Sequence, residues 1–255
     1  MLELRNLHRR FGGITAVDDI SFAVASGQIV SLIGPNGAGK STCFNLVTGF
    51  LKPSSGRVLF EGEDVTGEPP HRMARRGVVR SFQKTNVLKN LTVMENVLAA
   101  HHLQGNTSLL RTLFPGRAVR ESERRIHDGA REVVELVGLG PHMNTEANAL
   151  SCGELRLLEV AIGLGAGPRL LMLDEPAAGL NSEEARRLGA VLKGLVGTRI
   201  EALLLVEHNM GLVMSVSDRV VVMNFGRKLA EGTPAEIRDN AHVIEAYLGR
   251  PKRAA

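Results

Sequence analysis

The sequence contains no tryptophan, one tyrosine and two cysteines in 255 residues. So few large aromatic rings leave little with which to stack bases, and no basic patch is interleaved with aromatics as in a nucleic-acid reader. Nucleic acid is therefore not an expected partner. Cys43 and Cys152 form neither a CxxC pair nor a Cys/His cluster, which argues against a disulfide framework or a zinc site and leaves two reduced thiols as the expectation. Every apolar run is too short to cross a bilayer, and no basic-apolar-small pattern marks a signal peptide, so an intracellular, soluble protein is expected. The formal charge of +4 is a small excess, read most simply as solvated surface.

What is present centres on Gly34-Pro35-Asn36-Gly37-Ala38-Gly39-Lys40-Ser41-Thr42, which fits G-x-x-x-x-G-K-[ST]. Upstream, Gln28 to Ile33 is a mostly apolar run rich in β-branched residues, as a buried parallel strand requires. Downstream, Lys40 to Leu51 places Phe44, Val47 and Leu51 at helical spacing. A glycine-rich turn between strand and helix lets backbone N–H groups approach phosphate oxygens, and the helix N-terminus adds partial positive charge. Lys40 then reaches the β- and γ-phosphates, and Ser41 serves a magnesium ion.

A second buried strand, Arg169 to Leu173, ends in Asp174-Glu175. Consecutive carboxylates there are costly unless they meet a cation or do proton chemistry, so Asp174 is expected on Mg²⁺ and Glu175 on the attacking water. The strand Ala202 to Val206 ends in Glu207-His208, which puts a histidine at the ligand edge of an open α/β sheet. Gln83 ends the strand from Val78 and offers an amide oxygen to the same metal. Residues 92 to about 138 differ in character: Thr92 and Glu95 fit a capping box, 103 to 116 is an irregular excursion, and Arg117 to Val137 is a charged amphipathic helix. Ser151 and Glu154 form another capping-box pattern at the start of a helix, and a serine and a glycine there also suit an anion.

In this order the P-loop, Gln83, Leu150-Ser151-Cys152-Gly153-Glu154, Leu170 to Glu175 and His208 resemble the ATP-binding subunit of an ABC transporter over nearly the whole chain. The resemblance implies an α/β P-loop NTPase core with a mixed, largely parallel sheet and an N-terminal antiparallel β subdomain. It implies a single ABC ATPase domain over 1–255, with the nucleotide core at 1–91 and 165–255, the helical subdomain at 92–164 and a helical tail at 233–255. It further implies ATP and Mg²⁺ as ligands, Phe11 against adenine, and a head-to-tail dimer in which Ser151, Gly153 and Glu154 face the partner's nucleotide. Gly179, Leu180 and Asn181 correspond to the D-loop. Catalysis would fall to Glu175, His208 and Lys40.

Three positions depart from the family pattern: Cys152 stands for glycine, Glu154 for glutamine and Asn181 for aspartate. A carboxylate aimed at a triphosphate would be repelled, so Glu154 is expected to face its own backbone or a basic group. His71, His101, His102, His127 and His142 are expected as solvated residues without a chemical role. The excursion at 103 to 116, Pro176 to Asn181, Val206 to Met210 and His242 to Gly249 resemble the longer ATPase subunit of bacterial branched-chain amino-acid importers, the LivG type. That implies a second ATPase subunit in a homo- or heterodimer, two transmembrane permeases, an indirect periplasmic binding protein, and a peripheral position on the cytoplasmic face of the inner membrane. Alternatives are a urea or amide importer, a lipopolysaccharide-export ATPase, or a non-transport ABC ATPase.

Overall fold

The computed structural model describes residues 1–81, 87–102 and 117–248. Gln83, the excursion at 103 to 116 and the final residues from Gly249 lie outside them. Strand β1 (Leu2–Phe11) turns at Gly12-Gly13 into β2 (Ile14–Val24), and β4 (Ser55–Phe60) and β5 (Glu63–Asp64) complete an antiparallel sheet in the order β2-β1-β4-β5. The second sheet runs β10-β9-β3-β8-β7-β6. Its strands are β3 (Ile29–Ile33), β6 (Val78–Arg80), β7 (Leu170–Asp174), β8 (Ala202–Val206), β9 (Arg219–Asn224) and β10 (Arg227–Gly232). All neighbours are parallel except the edge pair β9 and β10.

The largely apolar runs of β3, β7 and β8, interrupted within β3 by Ser31, whose buried hydroxyl meets that of Ser217, follow from burial on both faces. Val30, Leu32, Met172 and Leu204 pack toward the antiparallel sheet and Phe44 of helix α1 (Lys40–Val47). Leu171, Leu173, Leu203 and Leu205 alternate to the other face, against α3 (Val93–His102), α4 (Arg117–Leu136) and α5 (Cys152–Gly165). Full burial of each such side chain contributes roughly 1.5–3 kcal/mol. In α4, Ala130, Val133 and Val134 are buried at helical spacing, with Val137 just beyond. The expected Thr92–Glu95 box starts α3, with Thr92 N–H donating to the Glu95 carboxylate at 2.8 Å. Helix α2 (Pro70–Arg75) precedes β6, α6 (Ser182–Leu195) and α7 (Met210–Val216) flank β8, and α8 (Pro234–Arg238) and α9 (Ala241–Leu248) form the tail. No helix among the described residues is long and apolar enough to cross a membrane.

Helix α1 stops at Val47, short of the Leu51 expected from its apolar spacing. The cause is Gly49, at φ 77°, where a Cβ would lie 1.9 Å from the Glu68 carbonyl oxygen. Because β3, β8, β7 and β6 are adjacent and parallel, their C-terminal ends share one edge. That edge carries Gly34, Glu207, Glu175 and Ser81 in the residues that follow each strand.

Candidate active site

The P-loop leaves β3 and enters α1 without a side-chain cap. Gly39 takes the cap position at φ 100°, and α1 has no acidic residue in its first turn, so its N-terminal N–H groups and dipole remain available to an anion. Glycine is required here on two counts: the left-handed backbone, and the Ala16 carbonyl oxygen only 2.3 Å from where a Cβ would sit. Gly34 is packed as closely, since a Cβ there would fall 2.1 Å from the Met223 carbonyl oxygen, whereas a Cβ at Gly37 would meet nothing within 4 Å. The loop is thus fixed against β2 and β9 and open elsewhere.

Lys40 is buried, and its ammonium donates to the carbonyl oxygens of Gly34 at 2.7 Å and Pro35 at 3.0 Å. Burial pulls it below the ordinary lysine value, while Glu175 and Asp174 act against that shift. These carboxylates, from the next-but-one strand, are therefore electrically coupled to the P-loop lysine. Asp174 ends β7 with its side chain 1% exposed. One oxygen, Oδ2, accepts from Arg80 at 2.6 Å, while Oδ1 is buried without a hydrogen-bond partner among the described residues. Arg80 is 9% exposed, donates also to Asn45 on α1 at 2.5 Å, and lies over the Phe44 ring.

Glu175 sits in the left-handed region at φ 51°, a conformation that costs a β-carbon-bearing residue free energy. Its N–H bonds the Val206 carbonyl at 2.8 Å, and its Oε1 lies 3.8 Å from His208 Nδ1 across the gap between β7 and β8. Both side chains reach solvent, at 29% and 58%. A water or phosphate oxygen between them would meet an acceptor and an imidazole from opposite sides. Between these groups sits Glu207, fully buried, whose carboxylate accepts N–H bonds from Ala177 at 2.7 Å and from His208 and Asn209 at 2.9 Å.

The structure thus gathers Lys40, Asp174, Glu175 and His208 at one edge, and leaves Ser151 elsewhere. Among the described residues the Ser151 side chain bonds only within its own capping box: Glu154 Oε2 accepts from Ser151 N and Oγ, both at 2.8 Å. Glu154 faces its own backbone, as expected, and its other oxygen lies 3.0 Å from His142 Nε2. The Ser151 backbone N–H, then its hydroxyl, hold the Glu154 carboxyl below the usual glutamate range, with His142 and Arg187 adding to this. His142 is therefore engaged with the Ser151 cap and not simply solvated. The Ser151 helix also abuts the segment after Glu175: Arg156 donates to the Ala178 carbonyl at 3.2 Å, and Cys152 Sγ lies 3.6 Å from a Cβ position on Gly179. Asn181 caps α6 by accepting from Glu183 and Glu184 N–H, both at 3.0 Å, a task asparagine performs as well as aspartate.

Phe11 is 42% exposed at the end of β1, beneath the Arg9 guanidinium, and remains open to a planar ligand. A cleft of about 600 Å³ borders Pro35 to Ala38 on one side and Phe225 and His242 on the other. Lys40, Asp174, Glu175 and His208 do not line it. Sequence reasoning missed Arg80 and Glu207. Nothing in spacing ties Arg80 to Asp174, but a carboxylate straight after a fully apolar strand was a usable signal for Glu207.

A family model described as ABC transporter matches residues 17–178, and one described as branched-chain amino acid ATP-binding cassette transporter matches residues 227–252. The high-affinity branched-chain amino acid transport ATP-binding protein BraF of Pseudomonas aeruginosa is 47% identical over 249 residues, 98% of each chain. LivG of Escherichia coli K12, described in the same terms, is 44% identical over the same span. Among solved structures, an ATP-binding cassette of an ABC transporter in its ADP conformation aligns with TM-score 0.85 and 33% identity, covering 98% of this chain and 99% of that one. A dimeric cassette bound to ADP and phosphate shares the fold, at TM-score 0.72 and 23% identity over 92% of this chain and 99% of that one.

Proposed function

The chain belongs to the ABC transporter ATPases of the branched-chain amino-acid type, and from that premise we propose that it couples ATP hydrolysis to the uptake of leucine, isoleucine and valine. The observation that carries the catalytic part is the placement of Glu175 and His208, 3.8 Å apart, on the strand edge that also holds Lys40. The tail match at 227–252 supports the solute class over urea, amides or lipopolysaccharide.

The P-loop N–H groups and Lys40 bind the phosphates, and transition-state charge is met by groups already in place. Lys40 leaves the Gly34 and Pro35 carbonyls for the phosphate oxygens. Glu175 orients the attacking water and accepts its proton, and His208 holds the γ-phosphate from the other side. Phe11 stacks on adenine. Ser151 and Gly153, which lie away from this chain's own P-loop, complete the site of a partner subunit, with Glu154 orienting Ser151 and Gly179 to Asn181 lying at the junction. The buried Asp174 Oδ1, without a hydrogen-bond partner among the described residues, and the exposed Ser41 hydroxyl suit a hard divalent cation, so Mg²⁺ would be held by Ser41 and Asp174, with Gln83 as the third ligand that the family resemblance implies. When bound it supplies charge neutralisation for the phosphates.

The division into a nucleotide core, a helical subdomain at 92–164 and a tail, the pairing with a second ATPase subunit and two permeases, and a peripheral place on the inner membrane belong to the same proposal. The test is uptake of labelled leucine, isoleucine, valine and urea by cells lacking the gene and complemented with wild type or Glu175→Gln. Loss of branched-chain uptake, restored by wild type alone, is the expected result. Unchanged uptake of all four solutes would refute the transport assignment.

A further inference from the structure

Glu207 is a buried carboxylate whose hydrogen bonds among the described residues are all to backbone. Its Oε1 accepts from Ala177 N–H, two residues past Glu175, and its Oε2 accepts from both His208 and Asn209 N–H. The side chain is 0% exposed. A carboxylate offers acceptors only, and bonds from N–H groups to an ionised acceptor are the strong class. Glutamine is nearly the same shape but would turn one NH₂ against one of these N–H donors. The position therefore demands the charge, and its cost is offset only because donors converge from two separate turns.

Those two turns carry the Glu175 and His208 side chains. Glu175 is held at φ 51°, a strained corner that persists only if its surroundings fix it. The Glu175 N–H to Val206 bond fixes one side of that corner, and the Ala177 N–H to Glu207 bond fixes the other. Next along the chain, the Ala178 carbonyl accepts from Arg156 of α5.

We propose that Glu207 is a positioning residue for hydrolysis: a single carboxylate clamps the turn after Glu175 to the turn bearing His208, and so sets the separation of the two groups that flank the reacting water. Glu207 touches neither water nor nucleotide and acts only through the backbone of its neighbours. The proposal rests on the roles given above to Glu175 and His208.

The test uses the full chain with Glu207→Gln and Glu207→Asp, the second keeping the charge on a stem too short to span both turns. Amide hydrogen exchange is followed at Ala177, His208 and Asn209, with Glu236 N–H, which donates to the Thr233 hydroxyl that caps α8, as a control. Loss of the clamp speeds exchange at the first three by about tenfold or more and leaves Glu236 unchanged. In steady-state ATPase assays, kcat falls by about a hundredfold while KM for ATP stays within about twofold, since the P-loop is untouched. On a His208→Ala background, Glu207→Gln costs markedly less than on wild type, because the geometry it protects is already lost. Unchanged exchange at the three amides, a wild-type kcat, or fully multiplicative losses would each overturn the proposal, as would failure of both variants to fold. A wild-type chain without ATPase activity would instead count against the catalytic roles, and the exchange data would still decide whether the clamp exists.

Discussion

Replacing Arg80 with methionine removes the guanidinium that bonds Asp174 at 2.6 Å and Asn45 on α1. Methionine keeps much of the stem length but removes the guanidinium that lies over the Phe44 ring, so the loss is of the charge and its contacts. Both members of the pair are nearly inaccessible, at 9% and 1%, so water cannot replace the missing donor. Breaking a buried pair by deleting one partner costs about 3–5 kcal/mol, because the other charge is left uncompensated. For a chain of this size that lowers the thermal midpoint by roughly 6–20 °C, taking about 2–4 °C for each kcal/mol. The assay is thermal and urea unfolding of Arg80→Met, Asp174→Asn and the double variant, followed by circular dichroism. The double variant should lose clearly less than the sum of the singles, since removing the second charge relieves the first. Added ATP with Mg²⁺ should raise the Arg80→Met midpoint more than that of wild type, and chelation with EDTA should abolish the difference. A single variant within about 2 °C of wild type, or strictly additive losses, would refute the argument that this pair balances charge beside the P-loop.

The cysteines give a simple check of burial: Cys152 is exposed, while Cys43 is buried with its thiol pushed up to about 12. A maleimide should label one thiol in the folded chain and both in urea, and rapid labelling of both without denaturant would contradict the packing of α1. Stability should also fall in acid. Glu95, Glu154 and Glu236 each sit below the ordinary glutamate value of 4.5, chiefly through a backbone N–H of the residue they help to cap. A depressed folded-state pKa contributes stability that is full above the unfolded value and is lost as pH falls through the folded one. The thermal midpoint should therefore hold steady down to about pH 5 and drop below it, and Glu154→Gln should flatten part of that drop. A midpoint that rises on acidification would reverse the sign and refute this linkage.

Much of the fold was legible because local chemistry and burial agree. The runs of β3, β7 and β8 are largely apolar without alternation since both faces are covered, and their ends fall where Gly34, Glu175 and Glu207 interrupt them. Capping pairs at Thr92 and Ser151 are written at fixed spacing and form as such. Lys40, Asp174 and His208 were visible because a strand end is where an α/β sheet presents its chemistry. Arg80 was not, because its partner is distant in sequence and only the β6–β7 pairing brings them together. His142 was missed for a similar reason: it lies in a short 3₁₀ segment, and its contact with Glu154 depends on how that segment packs. Glu207 was overshadowed by the histidine beside it, although the argument that singled out Asp174 and Glu175 applied equally to it.

The decisive assay is phosphate release from ATP by wild type and Glu175→Gln, with nucleotide binding followed in parallel. Binding should be unchanged and kcat should fall by about 10²–10⁴-fold, the range for removal of a general base. Wild-type turnover by Glu175→Gln would contradict the claim that the carboxylate beside His208 drives hydrolysis.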